Sequence, residues 1–202
     1  MIGVPPRKVY IVLNKPKGYT STCKDPHAEH TVMELVQDLD VPVYPIGRLD
    51  VDTTGLILLT NDGDFANSLM HPSKEIEKEY MVVVQGRISP EDLHKLEMGV
   101  QLDDGVTAPA KAQLLAYTES RGRSRVSIAI HEGRKRQVRR MFAAVDHRVM
   151  ELRRIRIGSL RLGDLAEGRW RNLSGSELAG LRGTTKSSKK AADKPPRRYD
   201  SR

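Results

Sequence analysis

The stretch GRLDVDTTGLILLTNDG, residues 47–63, joins a polar turn to an apolar run and then to a second turn. The apolar run, residues 56–59, follows a loop that carries Arg48 and two carboxylates, Asp50 and Asp52. A short continuous apolar run between turn residues predicts a buried strand. Charged groups at the entrance to such a strand suggest three interpretations: a calcium loop, a tight structural turn, or a carboxylate held in place for chemistry.

Hydrophobic periodicity on either side of this stretch alternates between strand-like and helix-like segments. Strands are predicted at residues 9–13, 56–60, 79–85, 110–117, 125–131, 151–157 and 159–162, and helices at residues 32–39, 63–70, 90–98, 135–145 and 176–181. Hairpins mixed with strand–helix–strand steps favour an α+β fold with a mixed sheet.

Composition limits the class of protein. The 202 residues are 38% hydrophobic and 30% charged, which is typical of a globular chain of one large or two small domains. The sequence has no apolar stretch of roughly 18 residues that could span a bilayer and no secretory signal, so we expect no membrane partner. The single cysteine, Cys23, excludes an internal disulfide and a multi-cysteine zinc site, and it fits a reducing cytoplasm.

The positive charge is concentrated in two segments. The chain has a net charge of +8, and residues 131–156 hold nine Lys and Arg against three acidic residues. Residues 183–202 hold seven Lys and Arg against two Asp, with little to bury. We therefore predict one folded unit at residues 1–182, a disordered basic tail at residues 183–202, and a polyanionic partner.

The carboxylates of the opening stretch match a calcium loop only in part. Asp50, Asp52 and Gly55 occupy positions 1, 3 and 6 of an EF-hand loop, but position 12 is Asn61 rather than a bidentate Glu. Asp52 fits a turn residue that bonds nearby backbone N–H groups. Asp50 lies two residues from Arg48 and upstream of an arginine cluster. A carboxylate held by guanidinium groups stays ionised and can act as a nucleophile or an electrostatic stabiliser.

Four further segments carry a resemblance to a known family. They are NKPKGYTST at 14–22, MHPSKEIEKEY at 70–80, HEGRKRQVRRMF at 131–142 and LRLGDLAEGRWRNLSGSEL at 160–178. Together with the opening stretch, in this order and spacing, they resemble the bacterial rRNA pseudouridine synthases of the RsuA type over about residues 8–182. Most members carry an S4 RNA-binding domain before this region. This sequence leaves no room for an S4 domain before residue 8, so the resemblance is closest to the subgroup without that domain, which includes a large-subunit rRNA enzyme.

The resemblance implies a fold and a reaction. The fold is a mixed, mainly antiparallel sheet flanked by helices. The reaction is the isomerisation of a specific uridine to pseudouridine in rRNA, most simply large-subunit rRNA, without cofactor or metal. The expected partner is rRNA or a pre-ribosomal particle, and the expected state is a monomer in the cytoplasm.

The resemblance also implies roles for individual residues. Asp50 is the catalytic carboxylate, Tyr80 stacks on the uracil, and Arg139 pairs with Asp50. Six basic residues are expected to contact RNA: Arg48, Lys78, Arg134, Lys135, Arg136 and Arg140. From the residues alone, Tyr80 fits equally a packed strand residue, and Arg139 a phosphate-facing arginine.

Two other functions fit parts of the sequence. A non-catalytic RNA-binding or ribosome-assembly protein would explain the basic segments but not the carboxylates placed beside them. A metal-dependent nuclease could use Asp50 and Asp52, but a third carboxylate at a useful spacing is not evident.

Overall fold

The structure, a computed structural model, describes residues 7–192, and side chains are described as far as residue 183. Its strands are β1 (Tyr10–Lys15), β2 (Tyr44–Ile46), β3 (Thr54–Thr60), β4 (Lys78–Gln85), β5 (Gln101–Leu102), β6 (Gly105–Val106), β7 (Lys111–Thr118), β8 (Arg123–Ile130), β9 (Val149–Ile157), β10 (Leu160–Arg161) and β11 (Trp170–Asn172). Its α-helices are α1 (Gly63–Met70), α2 (Pro90–Met98), α3 (Gln137–Ala144) and α4 (Gly175–Ala192).

Nine strands form one sheet in the order β11–β1–β3–β9–β4–β8–β7, with β2 added to β3 and β10 to β9. Neighbours pair antiparallel except β3 and β9, which run parallel. The predicted mixed, mainly antiparallel sheet flanked by helices is confirmed. Within the described residues, every helix is too short or too polar to cross a bilayer.

The parallel pairing of β3 with β9 is confined to two positions, Thr54 with Arg153 and Gly55 with Arg154. Gly55 has φ +105°, and a Cβ there would collide with the backbone oxygen and nitrogen of Arg154. Glycine is therefore required where the two strands meet. This short junction joins a half-sheet of β11, β1 and β3 to a half-sheet of β9, β4, β8 and β7.

The buried strand of the opening stretch is β3, and both of its faces are covered. Ile57 and Leu59 pack with residues of β4, β8 and α3 in one core. Leu56 and Leu58 pack with α1 and α4 in a second core. Since successive strand side chains point to opposite faces, a strand covered on both sides reads as a continuous apolar run. Each fully buried aliphatic side chain contributes roughly 1.5–3 kcal/mol.

Several element boundaries differ from those predicted. The helix predicted at 32–39 is a five-residue 3₁₀ helix, Val32–Val36. The helix predicted to start at residue 135 starts at Gln137, because Arg136 adopts left-handed backbone with φ 50°. Strands β2, β5, β6 and β11 have two or three residues each, too few to show periodicity.

The last helix is longer than predicted. It was expected at residues 176–181, but α4 continues to Ala192, so the predicted boundary between folded unit and tail falls inside it. Residues 183–192 include Lys and Ala, which favour helix, and the next proline is Pro195. The rest of the predicted tail, residues 193–202, lies outside the described residues.

Candidate active site

Asp50 lies on the loop between β2 and β3, and two neighbouring positions fix its backbone. Ser21 Oγ accepts a hydrogen bond from Leu49 N at 3.0 Å and donates one to Leu49 O at 2.9 Å. Thr53 N donates to Asp50 O at 3.0 Å, closing a turn. Leu49 is buried, whereas about a third of the Asp50 side chain is exposed. The loop therefore anchors its apolar residue and presents its carboxylate.

A buried lysine also holds the backbone of this loop through hydrogen bonds. Lys15, at the end of β1, is fully buried, and its Nζ donates to Thr53 O at 2.8 Å and to Pro16 O at 2.9 Å. Burial lowers the pKa of Lys15 to about 8, and the charges of Asp52 and Asp50 oppose that shift. Lys15 was not among the predicted site residues. The one sequence feature that could have indicated a role is its position in the segment NKPKGYTST.

Of the two loop carboxylates, Asp52 is held more tightly by guanidinium groups than Asp50. Arg136 donates from Nη1 to Oδ1 and from Nη2 to Oδ2, both at 3.0 Å. Arg139 Nη2 donates to the backbone oxygen of Asp52 at 3.0 Å and lies 3.4 Å from Oδ2. The hydrogen bonds from Arg136 hold the pKa of Asp52 below its usual value. This carboxylate thus fastens the start of α3 to the loop that carries Asp50.

The guanidinium pairing differs from the expected one. Among the described ion pairs, Asp50 is approached by Arg136, with Nη1 at 3.8 Å from Oδ2, and Arg139 contacts Asp52 instead. Arg136 has left-handed backbone with φ 50°, and its guanidinium contacts the loop at both Asp50 and Asp52. Arg139 is largely buried, and its Nε has no hydrogen-bond partner within the described residues.

A cleft of about 760 Å³ opens beside the β3–β9 junction and brings most of the predicted residues together. Asp50 and Tyr80 line it from opposite half-sheets, with Tyr80 on β4 only 9% exposed. The basic residues that line it are Arg48, Lys78, Arg134, Lys135, Arg136 and Arg154. Arg139 and Arg140 are not among the described lining residues. The volume is in the range of small-ligand pockets.

Two basic side chains make the cleft floor polar. Lys78 faces the cleft, and burial, followed by the charge of Arg154, lowers its pKa. Arg154 is 3% exposed, and its Nε donates to Leu56 O at 2.8 Å. The position of Arg154 in the junction is a property of strand pairing that the local sequence does not contain.

Arg134 and Arg140 are occupied by acidic groups of the β5–β6 hairpin. Arg140 pairs with Asp103 at 2.6 Å and Asp104 at 3.0 Å. Arg134 pairs with Asp104 at 3.2 Å and Glu132 at 2.9 Å. These pairs fix the hairpin to the start of α3. Both arginines were predicted to contact RNA, and in this structure their guanidinium groups contact carboxylates.

The calcium and nuclease interpretations find little support in this geometry. Both carboxylate oxygens of Asp52 accept hydrogen bonds from Arg136. No group of three or more His, Cys, Asp or Glu in the described part of the chain is arranged to hold a metal ion. The arrangement instead presents one partly exposed carboxylate, one aromatic ring and several cations in one cleft.

Comparisons with known proteins all lead to one family. A sequence model of the family described as RNA pseudouridylate synthase matches residues 9–144. The ribosomal large subunit pseudouridine synthase B of Bacillus subtilis (strain 168) is 47% identical over 174 residues, covering 86% of this chain and 71% of that protein. The ribosomal small subunit pseudouridine synthase A of Escherichia coli (strain K12) is 37% identical over 175 residues, covering 85% and 73%. A crystal structure of a pseudouridylate synthase superposes with a TM-score of 0.76 at 35% identity, covering 87% of this chain and 74% of that one.

Proposed function

The chain belongs to the RNA pseudouridylate synthase family, and from that premise we propose that it isomerises a specific uridine to pseudouridine in ribosomal RNA. Family membership makes it an isomerase. The observation that carries the proposal is the shared cleft: Asp50 and Tyr80 face one cavity of about 760 Å³ lined with cations. Such a cavity suits one everted nucleotide still attached to its phosphates.

The proposed reaction breaks the N1–C1′ bond of uridine, turns the uracil, and forms a C5–C1′ bond. Substrate and product are isomers, so no oxidant, reductant or group donor takes part. Asp50 supplies the carboxylate that starts the reaction. Tyr80 stacks on the uracil and places its hydroxyl near the proton lost from C5. Eversion of the target base costs a few kcal/mol, which the cationic walls of the cleft offset through phosphate contacts.

Large-subunit rRNA is the proposed substrate. Supporting this choice, the relative named for the large subunit is 47% identical, compared with 37% for the relative named for the small subunit. The proposal includes a monomeric enzyme that acts in the cytoplasm on rRNA or on a pre-ribosomal particle.

The test is to incubate the protein with unmodified rRNA transcripts, with and without chelator, and to map pseudouridine by chemical labelling and primer extension. We expect conversion at one or a few uridines, unaffected by the chelator. Asp50→Asn should lower the rate at least about 10⁴-fold, because the reacting group is removed. Its affinity for RNA should be retained.

Asp52→Asn is the matched control, since it removes a carboxylate two residues away that faces guanidinium groups instead of the reaction. We expect a loss of about 100-fold or less, through misplacement of the loop. Binding without conversion on every rRNA would show a non-catalytic RNA-binding protein. Cleavage that requires Mg²⁺ would show a nuclease.

A further inference from the structure

A second cavity lies on the sheet face opposite the catalytic cleft. Tyr80 faces the cleft, and Val83, three residues along β4, points to the other side. Val83 pairs with Arg125 on β8 and with Glu151 on β9. Together with the end of β7, these residues enclose a groove of about 210 Å³ that is open to solvent. We call this side of the half-sheet the outer face.

Three arginines line the groove at alternate positions, Arg121, Arg123 and Arg125. Arg121 and Arg125 are exposed and Arg123 is half-buried. Within the described residues, none of the three has an ion pair or a side-chain hydrogen bond. We call them the outer arginine cluster. Their charges are therefore not neutralised by the protein itself.

Several other arginines near the two faces are paired with carboxylates. Arg134, Arg136 and Arg140, on the cleft side, are each paired with carboxylates. At the far end of the outer face, Arg156 is paired with Glu77 and Glu79. The outer arginine cluster thus brings three guanidinium groups without a carboxylate partner into one groove, whereas the cleft lining has one such arginine, Arg48, that lacks any described side-chain partner.

The acidic residue among the described groove-lining residues is Glu151. It lies beyond ion-pair distance of the cluster, and Arg153, exposed on the same strand, adds a further positive charge nearby. The groove thus keeps a net positive charge. Arg123 and Arg125 lie two positions apart on β8, about 6.6 Å along the strand. Arg121 lies in the turn that precedes β8, so the three guanidinium groups can contact separate anionic groups.

We propose that the outer arginine cluster binds phosphates of the RNA backbone outside the catalytic cleft. The identity of the polyanion as RNA depends on the function proposed above. The remaining described lining is small or aliphatic, such as Ala116 and Val83, and offers little to read a base. Contacts of this kind fix the position of RNA and carry no sequence information. The cluster therefore holds rRNA that flanks the target, and a long substrate benefits from it more than a short one.

The test neutralises the cluster in Arg121→Gln/Arg123→Gln/Arg125→Gln. The control removes three exposed cations outside the groove, in Lys24→Gln/Lys95→Gln/Arg169→Gln, of which Lys95 is paired with Asp92. Binding of an unmodified rRNA transcript is measured by fluorescence anisotropy over a series of salt concentrations. Loss of three phosphate contacts should reduce the slope of log K against log salt by roughly 2. The control should keep the slope of the unaltered protein, and the corresponding triple Lys variant should restore most of it.

Turnover provides the second measurement. A short stem-loop carrying the target uridine should be converted by the triple Gln variant at the normal rate, and a long transcript with a raised KM. If neither the unaltered protein nor any variant converts uridine, the proposed function fails. The salt dependence of RNA binding then still tests whether the outer arginine cluster binds phosphates. An unchanged slope overturns the binding proposal. The proposal is also overturned if a poly-glutamate peptide binds the unaltered protein but not the triple Gln variant, while RNA binding stays unchanged. The partner would then be an acidic protein.

Discussion

At the scale of single residues, the loop that carries Asp50 depends on a charge buried beneath it. Lys15 is fully buried, with its Nζ bonded to backbone carbonyls on both sides. The unfolded chain keeps this proton up to about pH 10.5, whereas the folded protein releases it near pH 8. Proton release thus favours the folded state, and this group makes the free energy of unfolding rise as pH increases from about 8 to about 10.5.

We predict that Lys15→Met removes this rise. The change also leaves the carbonyls of Pro16 and Thr53 without a donor, so the absolute stability falls, and the informative quantity is the slope against pH. It is measured by urea denaturation at several pH values in that window. Lys17→Met, two residues away and exposed, should keep the slope of the unaltered protein. Equal slopes for Lys15→Met and the unaltered protein would contradict the prediction.

At the scale of elements, the junction between β3 and β9 depends on a missing side chain. We predict that Gly55→Ala lowers the free energy of unfolding by about 3 kcal/mol, because strained backbone combines with a collision against Arg154. Gly18 is the matched control, with φ +93° and no atom near the position of an added Cβ. Gly18→Ala should cost about 1 kcal/mol from backbone strain alone. Similar losses in both variants, measured by denaturation, would show that the close approach has no separate cost.

Local sequence patterns predicted individual strands but not the contacts that depend on how the elements pack. The strands β3 and β4 were found because their patterns are local: a continuous apolar run, and an alternation that includes Tyr80. The approach of Arg136 to Asp50 was not predicted, because it depends on how the downstream segment packs against the loop, and no local pattern marks the left-handed backbone that Arg136 adopts there. The engagement of Arg140 was missed for another reason. Its acidic partners lie on a hairpin of two-residue strands, which leaves no periodic signal.

At the scale of the whole molecule, the residues that the resemblance singled out meet different partners. The family-like segments identify Asp50 and Tyr80 as candidate site residues, and both residues line one cleft in the structure. The same resemblance predicted RNA contacts at Arg134 and Arg140, which the structure pairs with carboxylates. Net charge records how many cations a segment has, whereas binding depends on which of them lack an internal partner.

The pairing of β1 with β11 places the first strand of the sheet beside the last, and it brings Tyr10 close to residues of the last strand's exit and of α4. Arg182 Nη2 donates to Tyr10 Oη at 2.9 Å, and Leu173 N donates to Tyr10 O at 2.9 Å. A circular permutant that links residue 183 to residue 7 and opens the chain in the exposed loop at residues 25–29 should therefore fold. Its melting temperature should fall by about 2–4 °C, the effect of roughly 1 kcal/mol in loop entropy. A permutant opened inside β3 should not fold. Calorimetry of the two permutants compares their stabilities. These two results would show that the fold depends on the strand order of the sheet more than on where the backbone is continuous.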